Sequence, residues 1–66
     1  MDVKHPEIEV TLVGEDGNAF NIMGLVSRAL RRGGVPAEEV EQYQAECMSG
    51  DYDHLLQTTM RWVDVS

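Results

Sequence analysis

The apolar residues change their spacing once along this chain. Over residues 7–13, Ile8, Val10 and Leu12 alternate with polar residues, and this period of two predicts a half-buried strand. After Asn18 the apolar residues recur every three or four positions, which is the pattern of helices that are buried on one side. Because a chain of 66 residues has room for only one core, the strand and the helices must share it.

Three helices are predicted after the glycine-containing turn at 14–17. Asn18 predicts the N-cap of the first, which ends at Arg32 before two glycines, and Pro36 suits the first turn of the second, over 36–48. Asp51 is the predicted N-cap of the third, over 52–60. The predicted buried positions are Ala19, Ile22, Met23, Val26, Ala29 and Leu30, then Ala37, Val40, Tyr43 or Gln44, Cys47 and Met48, then Tyr52, Leu55, Leu56, Thr59 and Met60.

The chain ends in β-prone residues. Trp62, Val63 and Val65 predict a short strand that pairs with the first, in a direction that the sequence leaves open. The predicted fold class is therefore a small α/β (α+β) domain of order β-α-α-α-β, with a two-stranded sheet packed on three helices. Residues 1–66 are expected to form a single domain, with residues 1–6 as a flexible N-terminal lead.

Twelve acidic and five basic residues give the chain a formal net charge of −7. This excess disfavours direct binding to nucleic acid or to an anionic membrane, and it favours a basic protein surface as the partner. No segment approaches the roughly 20 apolar residues of a membrane span, and no signal peptide precedes the first strand, so we expect a cytoplasmic protein. Cys47 is the single cysteine and has no partner for an internal disulfide, which agrees with a reducing compartment.

The charges are segregated along the sequence. Residues 19–32 contain three arginines and no acid, whereas residues 33–60 contain six acids and no Lys or Arg. A compact carboxylate surface is attracted to a groove rich in Lys and Arg, although a charge run also serves as a solvated face that aids solubility. The predicted partner-binding residues are Glu38, Glu39, Glu41, Glu46, Asp51 and Asp53.

Catalysis is the less favoured interpretation of the polar residues. Cys47, His54 and Asp51 or Asp53 are the residue types of a nucleophile, a base and a group that orients the base. However, Cys47 falls on the apolar stripe of its helix, where a buried structural thiol is usual, and so small a domain has little material for a pocket that excludes water. We therefore expect no enzymatic activity.

Metal and phosphate sites are also disfavoured. The Asp51–Asp53–His54 run lacks the spacing of zinc and calcium sites, and Glu15 and Asp16 would repel a phosphate from the 14–17 turn. No metal and no cofactor are expected. The arginines at 28, 31 and 32 are expected to be solvated near a helix C-terminus or paired with glutamates of the second helix.

Residues 17–22 (GNAFNI), 27–32 (SRALRR) and 49–56 (SGDYDHLL) resemble small uncharacterised proteins of phages and other bacterial mobile elements. The resemblance covers residues 8–66. In size and charge the chain is also similar to anti-CRISPR proteins, which block Cascade-type or Cas effectors. This resemblance implies an origin in a phage or mobile element. Together with the excess of carboxylates, it leads to the hypothesis of a non-enzymatic inhibitor that mimics nucleic acid and blocks a basic groove on a host defence protein. The chain is expected to be a monomer or a weak homodimer.

A second hypothesis belongs to a different class of function, a small structural or accessory module that associates through an apolar surface. If Val63 and Val65 face the helices, Trp62 points to the open face of the sheet, beside Thr11 or Val13. An exposed aromatic side chain in that position would favour a protein partner.

Overall fold

Five elements follow one another in the order β-α-α-α-β. In the computed structural model, which describes residues 3–12 and 17–66, they are β1 (His5–Val10), α1 (Ala19–Arg32), α2 (Ala37–Cys47), α3 (Tyr52–Trp62) and β2 (Val63–Val65). The predicted fold class is confirmed, since a two-stranded sheet packs with three helices in one compact body of 25 × 25 × 23 Å.

The two strands pair in parallel, with His5 opposite Val63 and Val10 opposite Val65. Parallel strands require a long crossover connection, and here all three helices provide it. Ile8, Val10 and Val63 are buried beneath the helices, so one face of the sheet contributes to the core and the other faces outward. The direction of pairing, which the sequence left open, is thus parallel.

The helix N-termini begin where the sequence predicts. The side chain of Asn18 accepts hydrogen bonds from the backbone N–H groups of Phe20, at 2.8 Å, and Asn21, at 3.4 Å. The carboxylate of Asp51 accepts from the backbone N–H of His54 at 2.9 Å. Each cap satisfies N–H groups that have no partner within the helix, which fixes where the helix starts.

The C-terminus of α1 is closed by a Schellman motif. Gly34 adopts a left-handed conformation, with φ of 86°, and its N–H donates to the carbonyl of Arg31. The N–H of Val35 donates to the carbonyl of Leu30. Glycine takes this conformation without a Cβ penalty, so the Gly33-Gly34 pair ends the helix as predicted.

Several predicted boundaries differ from the structure. β1 spans His5–Val10 rather than 7–13, so it begins inside the segment predicted as a flexible lead and ends earlier than predicted. α2 is one residue shorter at each end than predicted, and α3 continues to Trp62, two residues beyond the predicted end at Met60. Consequently β2 starts only at Val63. Of the predicted turn at 14–17 only Gly17 is described, and Val13 also lies outside the described residues.

The helices contribute most of the core, and α1 buries the apolar face that was predicted. The buried apolar side chains are Ile8, Val10, Ile22, Met23, Val26, Leu30, Val35, Val40, Tyr43, Cys47, Leu55, Trp62 and Val63. The prediction was wrong at Met48, Tyr52 and Met60, which are 65%, 45% and 54% exposed, and at Ala37, which is exposed. Met48 follows the end of α2, and the other three residues lie away from the buried faces of their helices. The buried face of α2 carries Val40, Tyr43 and Cys47, and that of α3 carries Leu55, Thr59 and Trp62.

Two threonines are buried on α3 without leaving a polar group unsatisfied. The hydroxyl of Thr58 donates to the carbonyl of His54 at 2.8 Å, and that of Thr59 donates to the carbonyl of Leu55 at 2.9 Å. Since the hydroxyl proton of Thr59 is used in this way, the phenol of Tyr43 donates to Thr59 Oγ1, at 2.7 Å. This buried hydrogen bond joins α2 to α3 at the centre of the core.

Candidate interaction surfaces

The predicted partner-binding carboxylates fall into two groups in the structure. Glu38 and Glu41 lie on the side of α2 that faces away from the core, and Asp53 lies in the first turn of α3. These three side chains are exposed, and no described residue forms an ion pair or hydrogen bond with them. They are therefore available to a partner.

The other three predicted carboxylates have roles within the domain. Glu39 forms an ion pair with Lys4, with Nζ and Oε1 3.4 Å apart, and its Oε2 lies 3.7 Å from His5 Nε2. Glu46 accepts a hydrogen bond from the indole N–H of Trp62, and Asp51 caps α3. Because α2 turns through about 100° per residue, Glu39 and Glu46 lie on the flank toward Trp62, while Glu38 and Glu41 lie on the outward side. The six acids therefore do not share one face.

The outward face of the sheet carries carboxylates that the sequence analysis did not single out. Glu9 and Asp64 are register partners on neighbouring strands, and both are exposed. Glu9 also borders a groove with Arg28 and Arg32 of α1, but no ion pair joins them. The alternation of Glu9 with Ile8 and Val10 is the signal that places its carboxylate outward. Like charges on neighbouring strands of one sheet face repel each other.

Replacing Asp64 with lysine is expected to raise the free energy of unfolding by about 0.2–1 kcal/mol, because it converts a like-charge pair into an opposite-charge pair. Urea denaturation at low salt measures this gain. The same substitution in a Glu9→Gln background is the control, since the double-mutant cycle isolates the interaction between the two positions. An equal gain in both backgrounds would show that Glu9 and Asp64 do not interact.

Trp62 is buried, contrary to the expectation that it lies exposed on the sheet beside Thr11 or Val13. It is the last residue of α3 and is only 4% exposed. Its ring meets the edge of the Tyr43 ring at a centroid distance of 5.6 Å, and the ammonium of Lys4 lies 4.2 Å from its centroid. Its indole N–H donates to Glu46 Oε2 at 2.5 Å. The interface predicted around Trp62 and Thr11 is therefore corrected, because the indole links the start of β1 to α2 and α3 within the domain.

A polar cleft of about 400 Å³ lies between α2 and α3. His54 Nε2 is 2.9 Å from the carbonyl oxygen of Glu46 and 3.1 Å from the hydroxyl of Ser49, and that hydroxyl donates to the same carbonyl at 2.7 Å. The imidazole and the hydroxyl are thus engaged with the turn that joins the two helices. The lining residues are Lys4, Glu46, Ser49, His54, Thr58, Arg61 and Trp62.

Cys47 is buried and does not line the polar cleft. Burial raises the pKa of its thiol above the usual value. Burial likewise raises the pKa of the Tyr43 phenol. A thiol with a raised pKa stays protonated at neutral pH and is a poor nucleophile, so these groups are suited to packing rather than to covalent chemistry.

Three of the large exposed apolar side chains line one cleft of about 280 Å³, which we call the apolar cleft. They are Phe20 at the start of α1, Met48 after α2 and Tyr52 at the start of α3, and they are 72%, 65% and 45% exposed. The sequence pattern does not predict this surface, because Met48 and Tyr52 fall at positions predicted to be buried. The other lining residues are Ala19, Met23, Cys47, Gly50, Asp51 and Leu55.

Among residues 3–12 and 17–66, no three His, Cys, Asp or Glu side chains are grouped closely enough to hold a metal ion. None of the helices in these ranges has the length and apolar character needed to cross a membrane.

Comparison with known proteins gave no match to a family model, to a curated protein or to a solved structure. The function must therefore be argued from the side chains themselves.

Proposed function

We propose that this chain is a non-enzymatic acidic binding protein that occupies a nucleic-acid-binding groove on a basic partner, with carboxylates in place of phosphates. We propose further that the groove belongs to a host defence complex, which the chain would inhibit as anti-CRISPR proteins do; the resemblance to phage and mobile-element proteins supports this part of the proposal. The observation that carries the proposal is the exposure of Glu38, Glu41 and Asp53, which have no partner among the described residues.

These carboxylates are solvated in the free domain, so their charges change the free energy of unfolding only slightly. A groove that binds a polyanion is lined with Lys and Arg in excess, so a compact acidic domain meets a complementary potential and is steered toward it. The arginines of α1 do not neutralise the acids of α2, since no ion pair joins the two helices in the described residues. The exposed carboxylates of α2 are therefore not held in ion pairs with α1.

Reversing Glu38, Glu41 and Asp53 together to lysine is expected to abolish binding to the basic partner, because the change removes three attractive charges and adds three repulsive ones. The immobilised chain is incubated with bacterial lysate at low salt, and the retained proteins are released either with salt or with duplex DNA. Release by DNA at constant ionic strength shows that the chain and nucleic acid compete for one groove. Circular dichroism checks the fold, since the two reversals in first turns cost about 0.3–1 kcal/mol each.

The matched control reverses Arg28, Arg31 and Arg32 to glutamate, which changes three exposed charges in the opposite direction. This variant should retain the partner. Glu39, Glu46 and Asp51 are left unchanged because each has an intramolecular contact. Retention of the same partner by the lysine variant, or binding that is unchanged in high salt, would refute the proposal.

A further inference from the structure

The apolar cleft is supported by a hydrogen bond at one side and by buried side chains beneath it. The phenol of Tyr52 donates to the backbone carbonyl of Gly17 at 2.5 Å, which fixes the ring over the start of α1. Met23, Cys47 and Leu55 are buried beneath the opening and provide a packed apolar floor. Phe20 and Met48 stand at the rim, where a flexible thioether and an exposed ring suit contact with another protein.

α1 contains a glycine that packing within the described residues does not require. Gly24 lies in the middle of α1, one turn after Phe20, and is exposed. A Cβ added at Gly24 would meet no atom of residues 3–12 and 17–66 within 4 Å, so no contact with these residues requires glycine there. Glycine inside a helix is less favourable than alanine by about 0.5–1 kcal/mol. Glycine has no Cβ, so the backbone of a partner can approach α1 closely at this position.

The charged residues around the apolar cleft are acidic, which favours a partner with positive charge. Asp51 lines the cleft and Asp53 lies directly after Tyr52. No Lys or Arg occurs in residues 17–27 or 33–60, which include every residue that lines the cleft. A second copy of this acidic chain would bring like charges together, whereas apolar side chains flanked by Lys or Arg would meet complementary charge.

We infer that the apolar cleft docks a cationic amphipathic helix of the partner, with one or two large apolar side chains seated between Phe20, Met48 and Tyr52 and its backbone passing close to Gly24. This inference rests on the proposed function, because it takes the partner to be basic. It adds a recognition element, since an apolar anchor selects one protein among the many that carry basic surfaces.

The test uses the whole chain and a fluorescent synthetic Leu/Lys helix of about four turns, with binding measured by anisotropy. The wild type should bind this helix more tightly than a Leu/Glu helix of the same pattern or a scrambled Leu/Lys peptide. The F20S/M48S double variant should bind it at least about tenfold more weakly, a loss of roughly 1.4 kcal/mol. Its thermal stability should barely change, because both side chains are exposed.

The control variant is Met60→Ser, since Met60 is 54% exposed but does not line the cleft. It should bind the Leu/Lys helix as the wild type does. Equal weakening by M60S and F20S/M48S, or no weakening by either, overturns the inference. Sedimentation showing a homodimer that F20S/M48S dissolves also overturns it, because the cleft would then bind a second copy.

Failure of this inference is distinguishable from failure of the proposed function. If the Leu/Lys helix binds and the cleft variants have no effect, the cleft is not the docking site, while the reversals at Glu38, Glu41 and Asp53 still decide the proposed function. If the cleft variants matter but the Leu/Glu helix binds equally well, the cleft does not select a cationic helix and the inference is wrong, while the reversals at Glu38, Glu41 and Asp53 still decide the proposed function.

A Gly24→Ala variant tests the close approach separately. Alanine should raise the thermal stability of the domain, as expected for an exposed helical glycine with free space around it, and should weaken binding of the Leu/Lys helix. A variant that is more stable and binds with unchanged affinity would show that the partner's backbone does not pass over Gly24.

Discussion

Replacing Trp62 with alanine is expected to lower the free energy of unfolding by about 3–5 kcal/mol, the loss typical of a buried tryptophan. The indole is 4% exposed and packs against Tyr43, and it also lies beneath the ammonium of Lys4. Its removal leaves a cavity where β1, α2 and α3 meet, and Glu46 loses its hydrogen-bond donor. A small domain has a total stability of only about 5–15 kcal/mol, so the loss should be large in urea denaturation.

Two milder substitutions separate the parts of this effect. Trp62→Phe retains a ring against Tyr43 but lacks the indole N–H, and Glu46→Gln retains an acceptor for that N–H but lacks the charge. Both should cost less than the alanine variant. A loss below about 0.5 kcal/mol for Trp62→Ala would be that of a surface substitution, and it would restore the expectation of an exposed indole.

Local signals predicted the helix starts and the end of α1 correctly. Asn18 and Asp51 satisfy backbone N–H groups of their own helices, and Gly34 closes α1 through bonds within five residues. Such interactions depend only on nearby residues, so the sequence specifies them almost completely. The inward and outward sides of β1 were predictable for the same reason, because successive side chains of a strand alternate.

The position of Trp62 was mispredicted because two signals compete there. Tryptophan is β-prone and two valines follow it closely, which suggests a strand. However, Leu55, Thr59 and Trp62 also have the spacing of one helical face, and burial of the indole against Tyr43 favours the helix. Tertiary packing outweighed local propensity, as it often does for aromatic residues.

The apolar cleft was not predictable from periodicity. Tyr52, Leu56 and Met60 follow one another at helical spacing, as do Leu55, Thr59 and Trp62, and the sequence does not say which set faces the core. The choice depends on how α3 is rotated against α2, which the hydrogen bond between Tyr43 and Thr59 helps to fix. Exposure of Tyr52 follows from that rotation, and it is visible only in the assembled fold.

The rotation of α3 leads to a sharp expectation for two neighbouring leucines. Replacing Leu55 with alanine should lower the free energy of unfolding by about 2–5 kcal/mol, because its side chain is 3% exposed and lies in the core. Replacing Leu56 with alanine should cost about 1 kcal/mol, because its side chain is only partly buried at the margin of that core. Urea denaturation of both variants under identical conditions measures the difference.

Leu55 and Leu56 form a matched pair, since the substitution is the same and both positions lie in the interior of one helix. The intrinsic helix propensities therefore cancel, and the unfolded chains lose the same apolar side chain. What remains is the burial of each leucine, which depends only on how α3 is turned. Equal losses at the two positions would mean that the buried face of α3 is centred between them, so that Tyr52 and Met60 turn inward. In that case the apolar cleft would close, and the site proposed for the partner's helix would disappear with it.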